Sequence, residues 1–469
     1  MAARNSGSAS DLASGTRRCL AAGSSEHGYA LYLVLLLLVL VGIFSCIVVA
    51  ASHGAYRAAL HHQRLVQARA LAGSALQRAE FFLNGGDGHD FYWEADSFSE
   101  PFQGVGVLEM SCARFGVYSR FVGIGRAHEV TSRLDGILGR TMLDSLYPVI
   151  TLTGGVSGLL IADQCRVTGR VVFDNGQIGR GYTKQPIAGA EKWVTNRKSP
   201  TLPFETAPID SEFARLGRLL DGSAGDTASA NPGPDSASVT HRIEAPTIML
   251  SGDAECPAGL LDRTTVVCAG TLRFTESTTA HQCTFVADRV RVEGGRTRAS
   301  LFYGRDGIDI RDGDHDSQFM STDSIAAGKD VTFGSTALLI SRRTVVRDSV
   351  CRGGVFLADD GEFAVTAVSY ADSVGRTSMR MRGAAVSVGR RSRYTGVIIC
   401  DGLCVLGSQA FHGHLWAQSL WGVGSDGVLS PYFLQCTVVD TLGADRLFPL
   451  IGEAPAQVRF VRIDPGQAP

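Results

Sequence analysis

From Ala30 to Ala51 the chain reads ALYLVLLLLVLVGIFSCIVVAA, without a single Asp, Glu, Lys or Arg. About 20 apolar residues in a helix cross the hydrocarbon core of a bilayer, so this run is long enough to span one. A secretory signal has a shorter apolar region of roughly 7–15 residues behind a basic start. The length argues against a signal, although VVAAS leaves cleavage after the run open, and Cys46 in IFSC faintly suggests a lipid-modified cysteine despite the ill-fitting Phe44. Basic residues flank the run on both sides, Arg17 and Arg18 before it and Arg57, Arg64 and Arg69 after it, so charge alone does not orient it.

The residues after this run suit a longer helix. AYRAALHHQRLVQARALAGSALQRAEFFL contains no proline and is rich in Ala, Leu, Gln and Arg, all good helix formers. Leu60, Leu65, Ala68, Leu71, Ala75, Leu76 and Ala79 recur at three- and four-residue spacings, which predicts an amphipathic continuation until NGGDG, at Asn84, ends it. The expected organisation is a disordered stub over 1–28, then a transmembrane and amphipathic helix over 29–83, roughly 80 Å long.

Beyond the helix the pattern changes to short alternating runs with many glycines, 55 in all against 15 prolines, which favours strands and tight turns. GVLEMSCARF, FGVYSRFVGIGRA and HEVTSRLDGIL read as an antiparallel meander within a small sheet over 101–141. A β-rich segment over 148–220 comes next, then a linker over 221–240 containing DGSAGDTASANPGPDSAS. From 241 to 440 a degenerate repeat appears, in VVCAGTLRF, TFVADRVRV, LFYGRDGIDI, SIAAGKDVTF, VFLADDGEFAV and VIICDGLCVL, each with an apolar pair, a small-residue corner and a short strand. Repeats of this size with no helical filler point to a β-helix, with a β-sandwich as the alternative. Residues 441–469 read as a tail.

The first 140 residues resemble pilin-like bacterial membrane proteins, the type IV minor pilins and type II secretion pseudopilins, in the apolar span, its extension RLVQARALAGSALQRAE and the strand pair FGVYSRFVGIGRAHEV. That resemblance implies an N-terminus in the cytoplasm, a globular part outside and subunits packed through their long helices. It also implies a processing site between Gly28 and Tyr29. The family's glutamate at the fifth mature position is replaced here by Leu33. The later repeats are similar to those of β-helical polymer-forming and surface proteins.

Candidate chemistry is sparse. IDIRDGDHDSQ gathers Asp309, Asp312, Asp314 and Asp316 around His315, oxygen ligands of the kind that hold calcium. Asp359 and Asp360 are paired carboxylates of the type that cleave polysaccharides. His412, His414 and Trp416 alternate along one predicted strand, and Cys400 and Cys404 are the closest cysteine pair among eleven, a candidate disulfide without the second pair a zinc site needs. Among strands GIGRAHE lacks the context of a nucleotide-binding loop, so no catalytic residue and no cofactor other than calcium is nominated. A formal net charge of −2 gives nucleic-acid binding no support.

The expected function is a non-enzymatic, single-pass structural or assembly component of the cell envelope. Its body would be periplasmic or extracellular, and its partners the inner membrane and other pilin-like subunits. Gly42, Gly54 and Gly73 are candidate points of close helix approach. The alternatives are a surface protein that binds or cleaves polysaccharide, and a membrane scaffold facing the cytoplasm.

Overall fold

The computed structural model describes residues 19–84, 97–102, 104–141, 148–154, 158–161, 166–174, 177–180, 194–196, 206–222, 247–346, 350–371, 383–407, 409–423, 429–431, 433–434, 437–439 and 457–463. Most of the stub and of the linker lies outside these residues.

Helix α1 runs without interruption over Cys19–Asn84. Its C-terminal third lies across an antiparallel sheet of four consecutive strands, β1 (Ser97–Phe102), β2 (Gly106–Phe115), β3 (Tyr118–Ala127) and β4 (Val130–Thr141). Ala68, Leu71, Ala72, Ala75, Leu76 and Ala79 recur every three or four residues and are buried against Leu108, Met110, Cys112, Phe121 and Leu134. Leu65, counted with that face from its spacing, is exposed, because the sheet begins to cover the helix only at Ala68. Small residues set how close the layers come. A methyl group added at Gly125 would lie 1.9 Å from the Ala68 carbonyl oxygen, and one at Gly123 would lie 2.4 Å from that of Ala72. Backbone meets backbone there, so only glycine fits.

The remaining strands coil into a β-solenoid of about 10 turns. The pairings that stack one coil on the next are parallel, with antiparallel pairs among the described residues at Thr344–Val346 with Val350–Arg352 and at Trp421–Val423 with Leu429–Pro431, and this parallel stacking sets aside the β-sandwich. On the first wall Val266, Phe285, Phe302, Phe319, Leu339, Ala367, Ile398 and Leu415 stand in register and point inward. Phe285, Phe302 and Phe319 stack with ring centroids 4.6 and 4.8 Å apart, the spacing of adjacent strands. Their chain neighbours Val267, Val286, Tyr303, Met320, Ile340 and Val368 point outward and are buried as well. On this wall the apolar pair is therefore one inward and one covered outward residue, as in parallel sheets buried on both faces, whereas on the wall of Val355 the outward Phe356 is exposed. Coil length varies, from 17 residues between Ser300 and Ser317 to 31 between Asp359 and Arg390, and the stack continues across both.

Spatial order departs from chain order. Ile150, in the first strand after β4, pairs with Leu415, and Val171 stacks on Ile150, with Val194 on Val172 beyond it. The strands at 150–152, 167–168, 171–174 and 194–196 thus extend the stack beyond residues 410–417, together with Thr437–Val439, which lies between Ala410–His412 and Val167–Thr168. The chain reaches the other end, at Thr247, by way of helix α2 (Ala207–Leu220). Residues 441–469, read as a tail, supply the strand Gln457–Ile463, which pairs antiparallel with β4 and makes the small sheet five-stranded. The solenoid is an insertion between two neighbouring strands of that sheet.

Replacing Gly125 with Val forces helix and sheet apart and is expected to cost about 1–3 kcal/mol, as overpacking does. Gly42→Ala, where nothing lies within 4 Å, is expected to leave stability unchanged. Equilibrium denaturation of both variants in the same detergent measures the difference.

Candidate functional site

The small sheet is covered on both faces, and the two covers define the features that function draws on. Alternation along β3 and β4 sends Phe121, Gly123, Gly125 and Leu134 toward α1, and Tyr118, Arg120, Arg133, Asp135 and Ile137 toward the solenoid.

At the solenoid side the junction centres on Asp135, which is 2% exposed. Its Oδ1 accepts from Arg133 Nε at 3.0 Å, and its Oδ2 accepts from Arg263 Nη2 at 2.7 Å, from Arg120 Nη2 at 3.3 Å and from Gln282 Nε2 at 3.3 Å. The Gln282 oxygen in turn accepts from both Arg120 and Arg263. Arg263 and Gln282 belong to successive solenoid corners, and both hold left-handed backbone, with φ of 50° and 55°. Such backbone costs roughly 1–2 kcal/mol for a residue other than glycine. Here it aims both side chains at one carboxylate. Burial opposes ionisation of Asp135, yet Arg120, Arg133 and Arg263 outweigh it and hold its pKa below the ordinary 3.8.

A second fastener is Gln318. Its oxygen accepts from the Val117 N–H at 2.9 Å, and its amide donates to the Phe115 carbonyl at 3.0 Å, satisfying the turn between β2 and β3. The φ of +61° at Gly116, with the Gln318 amide against it, leaves no room for a side chain there.

Helix α2 is wedged beside this turn. Arg114 of β2 donates to Ser211 Oγ at 2.7 Å and to the Pro208 carbonyl, and it approaches the buried Glu212, which Arg215 also holds. On the other side Tyr370 donates to Asp210 at 3.0 Å, and Phe213 packs edge-on against Tyr303. Sequence reasoning passed over α2, although Pro208 near its start and the buried Ile209, Phe213 and Leu216 at helical spacing were legible. Each of the carboxylates Asp135, Asp210 and Glu212 is engaged by arginine, so the arrangement holds the sheet, α2 and the solenoid in one register.

The residues singled out from sequence lie elsewhere. Asp309 pairs with Arg311 at 2.9 Å, Asp312 accepts from the Gly313 N–H, and Asp316 accepts from the Thr336 N–H and hydroxyl. The strand that carries them turns a corner, and among the described residues no three His, Cys, Asp or Glu side chains converge as a metal site requires. His315 points into the solenoid, where its Nε2 and Nδ1 meet the Asp312 carbonyl at 2.9 Å and the Thr297 hydroxyl at 3.1 Å. Burial pushes its pKa down, so it sits in the core as a neutral ring. Asp359 and Asp360 pair with Arg390 and Arg391 of the next coil. A corner at Gly413, with φ of 134°, divides His412 from the buried His414 and puts them on different walls.

Cys400 and Cys404 stand as thiols in the inner core, on either side of the corner at Asp401 and Gly402. Burial likewise drives the Cys256 thiol up to about 12, so it behaves as a small apolar side chain. Gly28 and Tyr29 fall within α1, with Tyr29 exposed.

Removing one partner from a buried ion pair typically costs about 3–5 kcal/mol, and Asp135→Asn leaves three guanidinium groups facing each other. The variant is expected to lose stability of that order in denaturant titrations. A carboxylate whose folded pKa lies below its unfolded value stabilises the protein above the unfolded value and ceases to do so as pH falls through the folded one. The wild-type chain is therefore expected to lose stability more steeply than Asp135→Asn as pH falls below 3.8.

No family model and no curated protein matches the chain. Among solved structures, that of the competence-associated pilin ComZ from Thermus thermophilus aligns over 85% of this chain and 97% of its own, at 11% identity and a TM-score of 0.21.

Proposed function

We propose that the protein is a single-pass, membrane-anchored structural component of the bacterial envelope. It would assemble through α1 in the manner of pilin-like proteins and carry the solenoid as its outward body. The observation that carries this reading is the state of α1. Its segment from Tyr29 to Val49 is apolar on every side, long enough to cross a membrane, and exposed throughout, while the sheet covers the helix only from Ala68 onward. A helix that is apolar all round is stable only inside a bilayer or against other helices. Nothing lies within 4 Å of a side-chain position at Gly42 or Gly54, which leaves both open to close helix approach, whereas Gly73 already faces Leu134.

The test is protease protection of a C-terminally tagged chain in intact spheroplasts, with the mature N-terminus sequenced from the same sample. Digestion from outside with a chain that starts at Tyr29 is the expected result. Protection of the body would overturn the pilin-like orientation in favour of a scaffold facing the cytoplasm. An exposed body with an uncut N-terminus would leave an anchored surface protein that is not processed like a pilin.

A further inference from the structure

Between the apolar run and the first residue buried by the sheet lies a mostly exposed stem of helix, from Ser52 to Gln67, in which Leu60, Arg64 and Gln67 are half-buried and the rest exposed. At 1.5 Å per residue it is about 24 Å long. No Asp or Glu occurs from Ala30 to Ala79, while the stem carries His53, Arg57, His61, His62 and Arg64. At about 100° per residue, His53, Arg57, His61 and Arg64 fall within a wedge of about 80°. Ala68, Leu71, Ala75 and Ala79, buried by the sheet, continue the same stripe. The basic stripe therefore runs down the side of the helix from which the globular body overhangs.

We propose that this stem is a docking surface for anionic phospholipid headgroups of the membrane that holds the apolar run. The inference rests on the anchoring reading above. Two arguments select the occupant. The stem of a second copy is equally basic and without acid, so stems set face to face along this stripe repel. The stripe is also continuous with the spanning segment, so headgroups of the same leaflet are the negative charge it meets first.

The geometry adds a tilt. In an upright helix Arg57 lies about 9 Å beyond Ala51 and reaches the headgroups by snorkelling, whereas Arg64 lies about 20 Å beyond it. The headgroup layer extends only about 6 Å past the hydrocarbon, and salt screens charge over about 8 Å, so an upright Arg64 is out of range. Leaning toward the body's side brings Arg64 within reach and lowers the body toward the membrane.

The test uses the full-length chain in nanodiscs of phosphatidylcholine alone or with about one third phosphatidylglycerol, with Leu60→Cys as reporter on the basic face. Labelling by an uncharged, water-soluble maleimide is read peptide by peptide, so that the native Cys46 within the apolar run is followed in the same sample. Labelling at position 60 is expected to slow on the order of tenfold in the anionic discs, and to recover in high salt and on adding Arg57→Gln with Arg64→Gln. Equal rates in the two lipids would overturn the proposal, as would slowing that survives loss of both arginines and so belongs to an acidic protein or to general shielding. Cys46 keeps the two readings apart. If it is protected in both lipids while position 60 labels equally, the anchor stands and only the docking fails. If Cys46 labels freely, the anchoring itself is wrong.

Discussion

The helix and the solenoid are joined by a five-stranded sheet packed on both faces. One side takes the C-terminal third of α1 at backbone contact, through Gly123 and Gly125. The other takes the solenoid through Tyr118, Ile137 and the charged knot at Asp135. Covered twice, the sheet becomes the joint through which a force on the helix reaches the solenoid. Its side chains divide accordingly: glycine and alanine where layers must approach, and arginine, glutamine and a single carboxylate where they must register.

The choice of fasteners reflects the walls they join. The first solenoid wall presents an outward column of apolar residues, which any hydrophobic surface would cover in many registers. Hydrophobic burial supplies affinity without direction. Direction comes from Arg263, Gln282 and Gln318, three side chains from three coils that meet only one arrangement of β2, β3 and β4. An unmatched buried charge is costly, so misregistered docking leaves Asp135 or its arginines bare and is rejected.

Local patterns were readable from the sequence, and long-range partners were not. The apolar run, the helical spacing of Ala68 through Ala79, the meander and the repeat carry their signals within a few residues, and the structure has all four. The apolar pair in each repeat was visible too, but its meaning was not, because a covered outward residue looks the same in sequence whatever covers it. Helix α2 carried a local signal as well, Pro208 ahead of Ile209, Phe213 and Leu216 at helical spacing, within a segment read as β-rich. His315 lies in sequence among the aspartates nominated as calcium ligands and is a core residue, since a corner redirects the strand. Nothing local announces that Ile150 pairs with Leu415 or that Val461 lies beside Ile137. Those contacts join residues hundreds of positions apart, and no periodicity encodes them.

That permuted stacking sets the order in which the molecule can be finished. A solenoid whose coils keep to chain order can wind from one end as it is made, each coil templating the next. Here residues 148–196 emerge first yet rest on a coil ending at Ala417, and β4 waits for Gln457–Ile463. The early strands have no template until residues 410–417 exist, and β4 lacks its neighbour until residues 457–463 do. Contacts of such sequence separation fold slowly and leave strand edges open meanwhile. The coils between these early and late segments can therefore wind before either of the two joins is made.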